Sequence, residues 1–418
     1  MKAAVMIALF LMSVIALVLP VATYVARTTD LTEPEDPVPF TEEIVNMANA
    51  WNRLTHTLTI PKDGVYFFHL NAGALGEEKV SMELRGAIEV NLVRESTAHT
   101  GTDTLSRDII QQVSAGTTIN IVNVGTSKLF SDAGRQTSFT AFSLQDFQSD
   151  SERNAFSVSR QDDYDVQGEL PFTEVLLDTS NSWDNRTRYY IPKAGLYFFT
   201  FSCGVKSGQG VTAQIRSDTK GVLSELYRSD TNYNGADTLS GVAMANLEED
   251  DYVYVNLVAG ELYSDIYRQV SFGGFQYNPK YGTHQAWSVY RTSNINARRD
   301  PLDPLPFQGA EVNTGLFDFD DDRVHIVKSG VYYIHLNVGV QSRELMKAHI
   351  VLDDTRTEAE ISRSTKWHNG EDVLGQGMIL ELFSGNTLKV VLEEDSYLYS
   401  DSNRQTVFSG FLIFPYLN

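Results

Sequence analysis

The chain has 418 residues and a formal net charge of −21, with 42% apolar and 21% charged residues. These proportions are those of an ordinary globular protein, and the acidic balance argues against binding to nucleic acid or to an anionic membrane surface, since both would repel it. The only cysteine, Cys203, excludes an internal disulfide framework, so stability has to come from packed cores. We interpret Cys203 as a small buried hydrophobe.

An apolar run opens the chain, from Ala3 to Ala26. Residues 22–27, at the end of this run, align with residues 155–160 and 286–291, which also lie a short loop ahead of a Pro-Phe pair, so they are predicted to form a first strand. Residues 1–20 then have the layout of a secretory signal peptide, with Lys2, an apolar centre and a small-residue step near Ala16. The length of the run also permits a retained membrane anchor. With either outcome the remaining chain is expected outside the cell.

A Leu-aromatic-Ser-Asp phrase occurs three times, at residues 129–132, 262–265 and 398–401, and an Arg-Gln pair follows it each time. Successive phrases start 133 and 136 residues apart, which is the length of a whole domain. The sequence therefore predicts one module used three times. We place the three copies at residues 21–146, 153–278 and 284–418.

Each copy contains a strand that follows a Gly turn and is apolar on both faces, at residues 65–70, 196–201 and 331–336. One face of an antiparallel sheet normally meets water, so these strands need a second cover, which another copy of the domain can supply. Other segments, such as residues 211–216, alternate with period two. No long amphipathic helix interrupts the pattern. Each copy is predicted to be an all-β sandwich, most simply a jelly roll.

Several short segments of the repeats, taken together, resemble a known family. They are Ala-Phe-Ser-Val at 155–158, Gly-Leu-Tyr-Phe-Phe at 195–199, Gly-Ala-Asp-Thr-Leu-Ser-Gly at 235–241, Leu-Tyr-Ser at 262–264 and Phe-Ser-Gly-Phe-Leu at 408–412. In combination they resemble the globular head domain of complement component C1q. The resemblance extends over nearly everything from Ala22 to Pro415.

This resemblance implies a ten-stranded jelly roll, related to tumour necrosis factor, that packs as a trimer around an axis lined by aromatic residues. The chain departs from the usual family plan because it has no collagen-like stalk and carries three domains in one polypeptide. We therefore expect an intrachain pseudo-trimer. The alternative, three separate domains on a string, would leave three aromatic faces in water.

The resemblance also implies a place for calcium, because some family members bind this ion at the trimer apex through acidic residues. Carboxylates gathered on an axis repel one another unless a cation joins them, and the flexible oxygen shell of calcium suits such a cluster. The alternative is that an Asp in a Gly-containing turn only accepts hydrogen bonds from backbone N–H groups. The candidate ligands are Asp103, Asp237, Asp372, Glu95, Asp230 and Glu371.

Two further polar segments are considered. Residues 318–322 contain four Asp but lack the Gly and the distal Glu of an EF-hand loop, so a solvated loop is expected. Asn185 begins the sequence Asn-Arg-Thr, an N-glycosylation sequon in a polar stretch before a predicted strand.

No catalytic motif is recognised: the sequence has no His-Glu-x-x-His, no Gly-x-Ser-x-Gly and no phosphate-binding Gly loop. We therefore predict a secreted, non-enzymatic recognition protein for carbohydrate or protein ligands at cell or microbial surfaces, with a role like that of innate-immune proteins. An acidic matrix or adhesion protein with structural calcium is the alternative. Tyr233 and Trp367 are the candidates for ligand contact, since their loops differ among the copies.

Overall fold

The structure is a computed structural model that describes residues 20–86, 88–95, 97, 101–146, 154–229, 235–280, 284–295, 301–364, 366 and 369–416. Within these residues the chain is built from β-strands, with two short 3₁₀ helices at Met47–Asn49 and Leu144–Asp146. The predicted all-β class is confirmed.

Each copy contributes strands in the same order along the chain. In the first copy these are β1 (Ala22–Ala26), β2 (Glu42–Asn46), β3 (Trp51–Asn52), β4 (Thr57–Thr59), β5 (Gly64–Ala74), β6 (Val80–Arg85), β7 (Val90–Arg94), β8 (Asp103–Val113), β9 (Thr118–Asn123), β10 (Leu129–Phe130) and β11 (Ser138–Ser143). In the second they are β12 (Ala155–Arg160), β13 (Gly168–Glu169), β14 (Glu174–Asp178), β15 (Arg188–Tyr190), β16 (Gly195–Val205), β17 (Val211–Ser217), β18 (Gly221–Arg228), β19 (Asp237–Leu247), β20 (Tyr252–Gly260), β21 (Leu262–Tyr263) and β22 (Val270–Tyr277). In the third they are β23 (Ala286–Tyr290), β24 (Gly309–Asn313), β25 (Phe317–Asp318), β26 (Arg323–His325), β27 (Gly330–Val340), β28 (Met346–Leu352), β29 (Arg356–Arg363), β30 (Asp372–Leu382), β31 (Thr387–Leu392), β32 (Leu398–Tyr399) and β33 (Val407–Pro415).

The strands of each copy form a sandwich of two antiparallel sheets. In the third copy one sheet has the order β30-β27-β33-β23-β24 and the other the order β25-β26-β31-β28-β29. The first and last strands of every copy pair with each other, as β1 with β11, β12 with β22 and β23 with β33. This pairing brings the two ends of each copy together, so the next copy can start close by. The predicted jelly-roll β-sandwich is confirmed in three tandem copies.

The strands that are apolar on both faces lie between two cores. On one face of β5, Tyr66 and Phe68 pack inside the first copy. On the other face, the ring of Phe67 lies 5.7 Å from that of Phe198 and 5.2 Å from that of Tyr333, which belong to the second and third copies. The rings of Phe198 and Tyr333 are 5.7 Å apart. The second cover that the sequence required is therefore the other two copies, and we call this contact the shared core.

A second set of rings extends the shared core. Phe142 lies 6.4 Å from Phe275 and 6.1 Å from Phe411, and the last two are 5.9 Å apart, centroid to centroid. Each ring comes from the last strand of a different copy. These side chains are fully buried, so they contribute through lost apolar area as well as through ring contacts.

The Leu-aromatic-Ser-Asp phrase closes each sandwich. The hydroxyls of Ser131, Ser264 and Ser400 donate to the backbone carbonyls of the last residue of the first strand or its successor, at 2.6, 2.7 and 2.8 Å. The Asp that follows accepts a hydrogen bond from the backbone N–H two residues later, for example Asp265 from Tyr267 at 2.8 Å. The Ser-Asp pairs thus fix turns.

Other predictions concern single segments. Cys203 is fully buried, and burial raises the pKa of its thiol to about 12, as befits a packed hydrophobe. The predicted signal peptide, residues 1–20, lies outside the described residues except for Pro20. Among the residues that are described, no helix is both long and apolar enough to span a bilayer.

Candidate functional site

The three aspartates proposed as calcium ligands begin equivalent strands. Asp103, Asp237 and Asp372 are the first residues of β8, β19 and β30. Each is at most 1% exposed, so the residues lie inside the assembly of copies and not in a solvent-facing loop. The carboxylates of Asp237 and Asp372 both act to raise the pKa of Asp103, as neighbouring negative charges do.

Three buried arginines share this position, and we call the six side chains the Asp-Arg cluster. Arg94, Arg228 and Arg363 are fully buried. Arg228 donates to Asp237 of its own copy and, through Nη2 at 2.5 Å and Nε at 3.2 Å, to Asp372 of the next copy. The cluster members are Asp103, Asp237, Asp372, Arg94, Arg228 and Arg363.

Backbone pairing sets the cyclic order of the cluster. The backbone of Arg94 pairs with that of Asp237, and the backbone of Arg228 pairs with that of Asp372. A strand of one copy is therefore hydrogen-bonded to a strand of the next. We number the junctions first (copies one and two), second (copies two and three) and third (copies three and one). At the third junction the N–H of Ser364, the residue after Arg363, donates to the carbonyl of Thr102, the residue before Asp103, at 3.0 Å. Backbone pairing therefore places the end of each arginine strand beside the aspartate strand of the next copy, and the Arg228 side chain bonds across this boundary.

The charges of the cluster are balanced by its own side chains. Burial raises the pKa of Asp103 to about 6, although Arg94 opposes the shift, and burial raises the pKa of Asp237 against the opposing effect of Arg228. Three carboxylates face three guanidinium groups, so no negative charge is left for a divalent cation to neutralise. These residues do not fit a calcium ion well, and calcium here stays a prediction.

The remaining acidic candidates lie at the junctions next to the cluster. Glu95 is exposed, and its Oε2 accepts a hydrogen bond from the N–H of Ala236 in the second copy at 3.0 Å. Glu371 accepts at Oε2 from the hydroxyl of Ser229 at 2.9 Å. Both carboxylates therefore connect neighbouring copies. Asp230, Tyr233 and Trp367 lie outside the described residues.

Between the cluster and the aromatic rings the axis holds a buried polar layer. Asp108, fully buried in the middle of β8, lies 2.5 Å from Nδ1 of His69, measured from its Oδ1. Its Oδ2 accepts from the hydroxyls of Thr200 at 2.6 Å and Ser240 at 2.9 Å, both in the second copy. Burial would raise the pKa of Asp108, but these partners outweigh it and hold the pKa below its usual value.

The third copy completes this layer with a neutral histidine. Nδ1 of His335 is 3.1 Å from the Tyr333 hydroxyl, and Nε2 is 2.8 Å from Oδ1 of Asn337. Burial, reinforced by the nearby His69, lowers the pKa of His335 to about 4. Nε2 of His69 lies 2.8 Å from the backbone nitrogen of Gly377 and 2.7 Å from Oδ1 of Asn71, so this ring too is held by partners on both of its nitrogens.

The acidic loop at residues 318–322 and the predicted glycosylation site are on the surface. Asp318, Asp321 and His325 bring ligand atoms within 4.8 Å of one another, but the two carboxylates are exposed, and Nε2 of His325 is already 2.9 Å from Asp321. Asn185 is exposed, beside Asp184, whose Oδ1 accepts from three backbone N–H groups of the same loop. Its glycosylation stays a prediction.

A groove of about 390 Å³ opens where the first and second copies meet. Its walls come from β6, β7 and the turn after β9 on one side, and from residues 263–269 on the other. It contains one of the predicted acidic residues, Glu95. The sequence analysis did not single out this groove, because its walls come from segments far apart in the chain.

Comparison with protein families tests the resemblance directly. The family model of the C1q domain matches three times, at residues 22–144, 155–276 and 286–413. The chain belongs to the C1q domain family. C1q domains generally mediate ligand binding and trimer assembly, are typically non-enzymatic and commonly occur in secreted proteins.

Among solved structures, this C1q-domain protein is similar to the globular domain of zebrafish complement 1qA protein, with 20% identity, 31% of this chain and 100% of that chain covered, and a TM-score of 0.26. It is also similar to murine APRIL, with 10% identity, 30% of this chain and 99% of that chain covered, and a TM-score of 0.24. Comparison with curated proteins gives no significant match.

Sequence reasoning missed the arginines of this C1q-domain protein, although a signal was present. Each arginine precedes the aspartate of its own copy by nine residues, at 94 and 103, 228 and 237, and 363 and 372. A spacing kept in three copies indicates a structural pair. The signal for the polar layer is weaker, namely the charged pair Arg107-Asp108 in the middle of a strand whose counterparts in the other two copies are uncharged at these positions.

Proposed function

We propose that this chain is a secreted, extracellular recognition protein, assembled as an intrachain pseudo-trimer, that binds carbohydrate or protein ligands at microbial or cell surfaces in an innate-immune context. The recognition scaffold itself follows from the C1q domains. The proposal adds the assembly, the location and the ligands.

The observation that carries this proposal is the shared core. Phe67, Phe198 and Tyr333, one from each copy, are in mutual ring contact and almost fully buried. Separating the copies would expose these rings and also leave the Asp-Arg cluster divided among three surfaces. Both effects favour one rigid particle, on which ligand sites form between copies.

Divergence at the surface supports recognition. The three junctions carry different side chains at equivalent positions, whereas the shared core and the Asp-Arg cluster repeat closely. A scaffold that keeps its core and changes its surface has the organisation of a binding protein. The absence of recognised catalytic motifs from the sequence agrees with a non-enzymatic role.

Small-angle scattering of the full chain tests the assembly. A compact particle of this length has a radius of gyration of about 22 Å. We expect a value close to this at micromolar concentration. A value above about 30 Å, with a multi-domain profile, would indicate separate domains and contradict the pseudo-trimer.

Binding to surfaces tests the recognition. Labelled full-length chain is applied to a glycan array and to intact bacteria, and we expect saturable binding that excess unlabelled chain removes. The chain denatured in urea and applied after rapid dilution is the control for nonspecific adhesion. Binding to calcium mineral or matrix protein, with none to glycans or bacteria, would instead favour the adhesion role.

A further inference from the structure

We propose that the groove between the first and second copies is a binding site for a neutral saccharide of one or two rings. The inference rests on the proposed recognition function and gives that function a place and a ligand class. The groove volume of about 390 Å³ is within the range of small-molecule sites. Its two walls belong to different copies, so it exists only while the copies are packed together.

The groove is open because a small residue replaces an aromatic one. At the second junction, Tyr227 packs against Tyr399 of the third copy, with ring centroids 5.7 Å apart. Tyr227 immediately precedes the cluster arginine of its copy, and the residue in that position of the first copy is Val93. Val93 and Tyr263, the counterpart of Tyr399, both line the groove. The volume that the Tyr227 ring occupies at the second junction is therefore empty at the first junction, where Val93 is smaller.

The third junction is closed in a different way. The N–H of Glu360 donates to the carbonyl of Gly134 at 2.8 Å, so backbone packs directly on backbone. A Cβ atom at Gly134 would lie only 2.5 Å from Cβ of Glu360, which explains the glycine there. The second copy has Tyr267 at the same position, and Tyr267 lines the groove. The same turn therefore closes one junction and supplies an aromatic wall at another.

A buried arginine fixes that wall. Arg107 of the first copy is 1% exposed and donates through Nη1 to the carbonyl of Gln269 at 2.7 Å and through Nη2 to the carbonyl of Arg268. The side chain of Gln269 donates to Asn91 on the opposite wall. The second and third copies have Gly and Gln at the position of Arg107. The guanidinium anchor is specific to the first junction, although at the third junction the amide of Gln376 donates to the carbonyl of Arg135 at 2.9 Å. The two bonds from Arg107 hold the groove in shape before any ligand arrives.

The wall presents two half-buried tyrosines held by one carboxylate. Asp265 accepts at Oδ2 from the hydroxyl of Tyr263 at 2.9 Å and at Oδ1 from the N–H of Tyr267 at 2.8 Å. A pyranose ring has an apolar C–H face and a rim of hydroxyls. The face suits a tyrosine ring, and the rim suits the carboxylate, amide and hydroxyl groups of the groove.

The charge of the groove selects a neutral ligand. Its ionisable side chains are Lys79, Glu83, Glu95 and Asp265, in addition to the tyrosines, so an anionic glycan would be repelled. The carboxylates already have partners, since Glu83 pairs with Arg85 at 2.6 Å and the other two accept backbone N–H groups. The remaining lone pairs of these carboxylates can accept hydrogen bonds from ligand hydroxyls, so the ligand needs no positive charge to bind.

Saturation-transfer NMR and calorimetry on the full chain provide the test, with maltose, lactose and chitobiose as probes. The chain itself suggests the variants. Val93→Tyr fills the groove as Tyr227 fills the second junction, and Tyr267→Asn introduces the residue found at that position in the third copy. Tyr227→Val is the matched control, because it alters the second junction only.

We expect at least one probe to bind, Val93→Tyr and Tyr267→Asn to weaken it by about tenfold or more, and Tyr227→Val to leave it within about twofold. Affinity should not change between low and high salt. Saccharide binding that both groove variants leave intact would overturn the inference while leaving the recognition function in place. Binding of basic peptides that falls with salt, and none of saccharides, would overturn the ligand class. If neither variants nor wild type bind glycans or bacteria, the proposed function fails as well.

Discussion

The aromatic and polar layers of the shared axis are built by the three copies in different ways. In the aromatic layer each copy supplies an equivalent ring, such as Phe142, Phe275 and Phe411. In the polar layer a single carboxylate, Asp108, is provided by the first copy, and Val242 and Gly377 occupy its position in the other two. The first layer obeys threefold symmetry, whereas the second breaks it.

This difference shows what joining three copies in one chain permits. In a trimer of identical chains, an aspartate at this position would place three buried carboxylates on the axis, and their mutual repulsion would raise their pKa values and destabilise the assembly. Here Asp108 is the single carboxylate contributed at this position, and it accepts hydrogen bonds from the hydroxyls of Thr200 and Ser240 in the second copy. The asymmetric layer also distinguishes the copies from one another, which favours one order around the axis.

The largest effect is expected from breaking the symmetric Asp-Arg cluster. Arg228→Met should lower the free energy of unfolding by about 3 to 5 kcal/mol, because it leaves Asp237 and Asp372 buried without their guanidinium partner. Urea unfolding followed by circular dichroism measures the change. Arg188→Met, which removes a partly exposed pair with Glu169, is the control and should cost about 1 kcal/mol or less. Equal losses in the two variants would contradict the structural role of the cluster.

The fold and the repeats are predictable from the sequence because local patterns specify them. A strand such as Val65–Leu70, apolar on both faces, already requires two covers. The site is less predictable because its contacts join copies. The hydroxyl partners of Asp108 are in the second copy, and the partner of Arg94 by strand pairing is Asp237, more than a hundred residues away. Only the spacing repeated in all three copies indicates such a pair.

The asymmetric layer should make stability depend on pH through His335. Its pKa is about 4 in the folded protein and near 6.5 when unfolded, so the unfolded state binds more protons between these values. Stability is therefore complete above about pH 6.5 and falls as the pH drops towards 4, by about 3 kcal/mol from this group.

The comparison with His335→Gln isolates that contribution. Asp103, whose pKa is raised, changes stability in the opposite direction over part of this range, but it is present in both proteins. We expect the difference in unfolding free energy between wild type and variant to shrink from pH 7 to pH 4 in urea titrations. A constant difference would mean that His335 is not held neutral by the fold.

A smaller effect should follow from making the aromatic layer more uniform. Tyr333→Phe gives all three copies phenylalanine at this position but removes the hydroxyl 3.1 Å from Nδ1 of His335. The unpaired buried nitrogen should cost about 1 to 2 kcal/mol in urea unfolding. Tyr190→Phe, at an exposed position, is the control and should change stability by less than about 0.5 kcal/mol. A neutral Tyr333→Phe would show that this hydroxyl does not join the two layers.

The smallest effect is expected from calcium, which tests whether the Asp-Arg cluster is balanced by its own charges. Because Arg94, Arg228 and Arg363 neutralise the three aspartates, wild type should melt at the same temperature in chelator and in millimolar calcium. The variant Arg228→Met provides a sharper comparison. In it Asp237 and Asp372 lose the guanidinium group of Arg228, so calcium can bind to compensate their negative charge. Stabilisation of the variant alone would show that arginine occupies the place of the cation. Stabilisation of wild type by several degrees would instead restore the calcium site that the sequence predicts.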